Sequence, residues 1–155
     1  MRLRDHLLTV CFILLAGPGL LCFGQAKPSA ATAAANSANE FKASPAYSEL
    51  RLRQAELESE LEAFLIEYTD EFPKVKEIKI SIGLLKKESD RLQAAGARGT
   101  QRLTLAVGKL MVRKVELETE LVRLLENLQP AHPDAKRAKR KVDIYEAAIK
   151  DILGQ

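Results

Sequence analysis

The chain has no tryptophan, and its two cysteines, Cys11 and Cys22, both fall within the first 22 residues. Of its two histidines, only His132 lies beyond residue 6. If the first segment is removed, the remainder has no disulfide framework and no thiol nucleophile. A lone histidine without cysteine provides neither a zinc ligand set nor a nucleophilic triad. No glycine-rich phosphate loop is present, and proline is scarce after the leader, at Pro28, Pro45, Pro73, Pro130 and Pro133 only. What dominates is Leu, Glu, Lys, Arg and Ala, the composition of long helices with a narrow apolar seam.

The first residues, Met-Arg-Leu-Arg-Asp-His, are positively biased and lead into an apolar run from Leu7 to Phe23. That is the layout of a secretory signal peptide. A bilayer-spanning helix needs about 20 apolar residues, and Gly17-Pro18-Gly19 would break one in its middle, so a retained anchor is the lesser reading. Gly24 and Ala26 suit the small positions of a cleavage site and place the mature start near Lys27. Cys22 follows Leu20-Leu21, which are too bulky for a lipid-attachment box. Without Arg2, Arg4 and Asp5 the chain keeps 22 basic and 20 acidic residues, a balance that by itself specifies no partner. Residues 27–45 are mostly Ala, Ser, Asn, Thr and Pro, with Lys27, Glu40, Lys42 and one apolar ring, Phe41, and are expected to form a disordered linker. A single helical domain is expected over residues 46–155.

Within that domain, Arg53-Gln-Ala-Glu-Leu-Glu-Ser-Glu-Leu61 recurs as Arg113-Lys-Val-Glu-Leu-Glu-Thr-Glu-Leu121, an ungapped offset of 60 residues. The same offset carries Phe72-Pro73 onto His132-Pro133, Ile82 onto Val142 and Leu92 onto Ile152. Such self-similarity is the signature of a repeated supersecondary unit, here over about residues 46–95 and 101–155. Apolar residues step by three and four, as in a coiled-coil seam. In the first copy the seam positions are Leu50, Gln54, Leu57, Leu61, Phe64 and Tyr68, then Val75, Ile78, Ile82, Leu85, Ser89 and Leu92. In the second they are Leu103, Val107, Leu110, Lys114, Leu117, Leu121, Leu124 and Leu128, then Ala135, Ala138, Val142, Tyr145, Ile149 and Ile152.

Proline lacks an N–H and disfavours helix in the residue before it, so the helices must end by Phe72 and by His132, with Pro73 and Pro133 opening the next ones. Short turns fold each pair back antiparallel. The segment from Ala46 to Glu71 carries eight acids against Arg51 and Arg53, whereas Pro73 to Leu92 carries six bases against Glu77, Glu88 and Asp90. Opposite flanking charge favours this pairing, at about 0–1 kcal/mol per exposed pair. The fold expected is all-α, two tandem antiparallel hairpins of coiled-coil or four-helix type. Residues 94–100 allow two accounts, because Gly96 and Gly99 keep the three-four spacing of a continuous central helix, yet each costs about 0.5–1 kcal/mol there. A break is favoured.

Candidate chemistry is sparse. His132 reads as a turn residue. Glu56, Glu58, Glu60 and their counterparts Glu116, Glu118 and Glu120 are spaced by two and point to different sides of a helix, which makes a solvated face the simpler account than a carboxylate metal site. Lys136, Arg137, Lys139, Arg140 and Lys141 form a candidate anion-contact patch that an exported chain would turn toward anionic lipid or acidic glycan and not toward nucleic acid; a solvated face paired with acids on the preceding helix is the plainer alternative.

The run from Leu57-Glu-x-Glu-Leu61 through Tyr68-Thr-Asp-Glu-Phe-Pro73-Lys-Val75, and from Leu117 to His132-Pro133-Asp134, resembles the periplasmic coiled coil of polysaccharide chain-length determinants of the Wzz and GumC type. The resemblance covers most of residues 46–153. It implies a helical hairpin in a cell-envelope setting, without that family's second transmembrane helix, membrane-proximal α/β domain or kinase. The function expected is a non-enzymatic exported coiled-coil protein, a structural or helix-binding accessory of the bacterial envelope, periplasmic once processed and linked to polysaccharide export. Its partners would be other coiled-coil or envelope proteins or further copies of itself, and no cofactor is required. A periplasmic holdase chaperone is the alternative.

One outcome follows for the leader: mass spectrometry of the exported protein should find an N-terminus near Lys27. A chain starting at Met1, or a lipid on Cys22, would contradict the cleavage argument.

Overall fold

The structure is a computed structural model that describes residues 39–155. The proposed leader and most of the linker lie outside those residues. Among the described residues there are four long helices, α1 (Pro45–Glu67), α2 (Pro73–Gly96), α3 (Leu105–Asn127) and α4 (Pro133–Leu153), with a 3-10 turn at Thr100–Arg102 between α2 and α3. None is long and apolar enough to cross a membrane.

Local geometry repeats with the 60-residue offset. α1 and α3 begin and end in register, and each is capped by a hydroxyl: Ser44 accepts from the Tyr47 N–H at 3.3 Å and Thr104 from the Val107 N–H at 3.4 Å. Such a cap satisfies one of the donors that a helix start leaves free. Both helices end on an extended residue, Tyr68 and Leu128, whose N–H donates to the carbonyl of Phe64 or Leu124 at 2.8 Å. Both turns then close through the Phe72 N–H to the Thr69 carbonyl and the His132 N–H to the Gln129 carbonyl. Pro73 and Pro133 open the next helices as expected from their fixed φ and missing N–H.

The central connection is broken, not continuous. α2 stops at Gly96, and Gly99 adopts φ 135°, a conformation that side chains other than hydrogen rarely permit. Leu103, read from its spacing as a helix residue, sits just before α3 with 2% exposure in the core. α4 ends on Gly154 at φ 69°, with the Gln155 N–H returning to the Lys150 carbonyl, a left-handed C-cap.

Packing joins the hairpins into a stack. α1 packs on α2 and α3, α2 on α3, and α3 on α4, while the outer helices α1 and α4 share no packed seam. α1 and α3 run parallel: the Ala46 N–H donates to the Leu103 carbonyl, and farther along Arg53 lies 3.5 Å from Glu116. α3 is therefore the shared helix, which explains why two stripes of it are buried. Beside the expected Val107, Lys114 and Leu117, the residues Gly108, Met111, Val115 and Thr119 are also buried, whereas Leu110 is only half-buried. The seam read from the sequence served one contact of a helix that makes three.

Three further expectations need correction. The linker does not extend to residue 45: residues 39–42 form a helical turn, and Phe41 is buried with its ring 4.8 Å from that of Tyr47 and against Gly96. At the end of α4 it is Leu153 that enters the core with Ala95 and Leu103, leaving Ile152 37% exposed. Tyr68, placed on the first seam, is 42% exposed and stacks on Phe72 with ring centroids 4.1 Å apart, because α1 has already ended there.

The crossing of α1 and α3 depends on Gly108, where an added Cβ would stand 2.9 Å from the Cα and carbonyl oxygen of Ala46. Gly108→Ala should destabilise the fold by about 1–3 kcal/mol. Gly83, in exposed α2 with nothing within 4 Å, should gain about 0.5–1 kcal/mol on Gly83→Ala. Urea denaturation of both variants checks the contrast.

Candidate functional site

The strongest concentration of polar side chains inside the molecule lies where α2, α3 and α4 meet. Lys114, on the seam of α3 and 6% exposed, reaches three carboxylates: Glu88 of α2 at 2.6 Å, Glu118 one turn along at 3.2 Å and Glu146 of α4 at 3.2 Å. Arg91 of α2 joins from the side, at 2.9 Å from Glu146 and 3.6 Å from Glu88, and donates two hydrogen bonds to the Gln155 side-chain carbonyl. Lys150 reaches the other oxygen of Glu146 at 3.4 Å. These groups border a cleft of about 540 Å³ between α2 and α4.

Both ends of the Lys114–Glu88 pair are withdrawn from water. Burial opposes the Lys114 ammonium, but hydrogen bonding and attraction to Glu88, then Glu118 and Glu146, outweigh it and raise its pKa. At Glu146 burial likewise opposes the charge, and hydrogen bonds from Arg91 and Lys114 reverse the effect and lower its pKa. One buried oxygen of Glu88, Oε2, accepts no hydrogen bond. The cleft is lined by carboxylates, amines, a guanidinium and an amide, with Val142, and by no thiol, hydroxyl or imidazole. Chemically it can hold three helices in one orientation and accept a further donor at Glu88.

A smaller polar contact does the same lower down, where the hydroxyls of Ser81 and Thr119 lie 2.9 Å apart in the α2–α3 interface and Thr119 also donates to the Val115 carbonyl. Gln54, the counterpart of Lys114, is satisfied within α1 by Arg51 and Glu58.

The residues singled out from the sequence are spread over the surface. Phe72, Pro73, His132 and Pro133 occupy the two turns, which lie at the same end of the stack because α1 and α3 are parallel. His132 Nδ1 accepts from the Asp134 N–H at 3.2 Å, a capping role. Of the basic patch, Arg137 pairs with Asp134, and Lys139 with Asp143 at 3.1 Å; these acids belong to α4 itself and not to the preceding helix. The hydrogen bond from Arg137 is the main reason the Asp134 carboxyl is held below its usual range. Lys136, Arg140 and Lys141 are exposed on the same half of α4. The paired acids disperse: Glu60 faces Lys74, Glu56 faces Arg53, and Glu116 faces Arg113 and Arg53. Among the described residues no group of three His, Cys, Asp or Glu is placed to hold a metal ion. Among the described residues three bridges join the acidic segment 46–71 to the basic segment that follows it, Lys74 to Glu60 at 3.7 Å, Lys76 to Glu71 at 2.5 Å and Lys79 to Asp70 at 2.9 Å, the last two at the turn.

Sequence reasoning missed the charge cluster, although Lys114 stood on an apolar seam. A lysine there demands a buried acid, and Glu88, next to the seam position Ser89, supplies it.

Compared with protein families, with curated proteins and with solved structures, the chain matches none.

Removing one partner of the buried pair leaves an uncompensated charge, so Lys114→Met should cost about 3–5 kcal/mol, and adding Glu88→Leu to it should recover most of the loss. The difference between wild type and Lys114→Met should depend on pH. A raised Lys114 contributes fully below its unfolded value near 10.5 and fades as pH rises through the folded value. A lowered Glu146 contributes above its unfolded value near 4.5 and fades as pH falls through the folded value. Denaturation from acid to alkaline pH should therefore show the widest gap between those limits.

Proposed function

We propose that the protein is a non-enzymatic, exported helical scaffold of the bacterial cell envelope that works by binding another helical surface along α1. The observation that carries this reading is a helix face left without a partner among the described residues. Leu52, Ala55 and Ser59 step by three and four along α1 and are all exposed, Leu52 by 58%. Their counterparts in the second repeat, Val112, Val115 and Thr119, are the stripe of α3 that is half-buried or buried, with Val115 at 2% and Thr119 at 6%. A stripe used for helix packing in one copy is thus open in the other. Glu56, Glu58 and Glu62 border it with Arg51 as the one base beside them, which favours a partner with basic flanks.

Export rests on the leader, and a link to polysaccharide assembly rests on the hairpin pattern alone. The holdase alternative draws on Leu65, Ile66 and Tyr68, exposed by 37%, 86% and 42% at the first turn. The open stripe of α1 is longer and is matched to a known packing mode of the same chain, which makes partner binding the better-supported reading.

A photo-crosslinking residue at Leu52 in the full chain, expressed in cells, should give a discrete protein adduct, and the same residue at exposed Lys79 of α2 should not. Equal labelling at both sites, or none at Leu52, would remove α1 as the binding face.

A further inference from the structure

We infer that the open face of α1 is covered by the far end of a second copy, so that chains stack head to tail in the manner of the two repeats within one chain. This rests on the reading of α1 given above and names its occupant. Within the chain, α3 docks on the first hairpin through polar contacts that the 60-residue offset translates directly. Arg53 to Glu116, at 3.5 Å, becomes Arg113 of one chain to Glu56 of the next. Ser81 to Thr119, at 2.9 Å, becomes Lys141 to Ser59.

These translated positions are exposed, and to meet, Arg113 and Glu56 would exchange their partners within the chain, Glu116 at 2.7 Å and Arg53 at 2.9 Å, for one another. Arg113 and Glu56 are 56% and 52% exposed, and Lys141, Ser59 and Lys109 are exposed as well. Among the described residues neither Lys109 nor Lys141 has a carboxylate within 4.0 Å. The far face therefore offers two lysines without a carboxylate partner among the described residues to an α1 face on which Glu56, Glu58 and Glu62 outnumber Arg51. A contact between two different surfaces of identical chains is heterologous, and it propagates into a ring or an open filament and does not stop at a dimer.

Two translated contacts differ from their originals. The buried Lys114–Glu88 pair becomes Gln54 with Ala148, and Gly108, which lets α3 approach the Ala46 backbone closely, becomes Ser48. The step between chains lacks the ion pair and must be wider at that end. It is the weaker of the two steps and should be reversible with concentration, as one-dimensional repeat stacks built on nearest-neighbour contacts allow.

The test is light scattering and sedimentation on the protein purified from cells expressing the full sequence. Mass should rise with concentration beyond that of a dimer, and Ser59→Arg, on the exposed stripe, should reduce it to the monomer with helical circular dichroism unchanged. Arg113→Glu and Glu56→Arg should each be monomeric alone and should assemble when mixed, because mixing restores opposite charge at every junction. A monomer at all concentrations would overturn the inference, as would a dimer indifferent to Ser59→Arg and to both charge reversals. A monomer in solution that still crosslinks to a different protein through Leu52 in cells would overturn self-stacking alone and leave the helix-binding reading standing.

Discussion

Lys114 fixes how the two hairpins sit on one another. Its ammonium lies within 3.2 Å of carboxylates from α2, α3 and α4 at once, and its aliphatic stem belongs to the seam of the one helix that touches all the others. Apolar surfaces alone would hold these helices together, at about 25 cal/mol per Å² buried, yet they tolerate sliding. A buried charge does not, since moving it away from Glu88 strands both ions in a medium that solvates neither. That contact ties α2, α3 and α4 together in one register, with the cleft beside Arg91 next to it.

Around this point the chain shows how a duplicated sequence yields duplicated local structure without duplicated surroundings. The caps at Ser44 and Thr104 and the turns at Phe72 and His132 match in their hydrogen bonds. The two first helices, α1 and α3, nevertheless have opposite fates, because α3 packs on α1, α2 and α4 whereas α1 packs on α2 and α3 alone. The substitutions between repeats reflect this: Lys114 and Gly108 where α3 must lock and approach closely, and in α1 a buried Gln54 satisfied within its own helix and an exposed Ser48. The same asymmetry leaves a partly apolar stripe flanked by glutamates at one end of the stack and exposed Lys109 and Lys141 at the other.

Where reading of the sequence departed from the structure, the cause was mostly a contact between segments distant in the chain, Tyr68 at the end of α1 being a local exception. Phe41 looked like an isolated ring in a polar segment, and it is buried because Tyr47 and Gly96 meet above it. Ile152 and Leu153 are both apolar neighbours, and which of them turns inward depends on Leu103 and Ala95. Met111 and Val115 lay off the expected seam because periodicity reports the width of an apolar face, not how many partners cover it. The candidate site was half legible: Lys114 could be seen on the seam, but Glu88 and Glu146 are two acids among many in helices rich in glutamate.

By itself the sequence determined the all-α class, the repeat, the two proline turns and the break between repeats, since each depends on neighbours within a few residues: a missing N–H, a fixed φ, a glycine where no side chain fits. Only the tertiary structure decided that the hairpins stack through α3, that Lys114 and Glu88 are buried together, and that α1 keeps an uncovered face. Those outcomes depend on which surfaces meet across 26 or more residues of chain, and that is settled by the summed packing of whole helices and not by any local pattern.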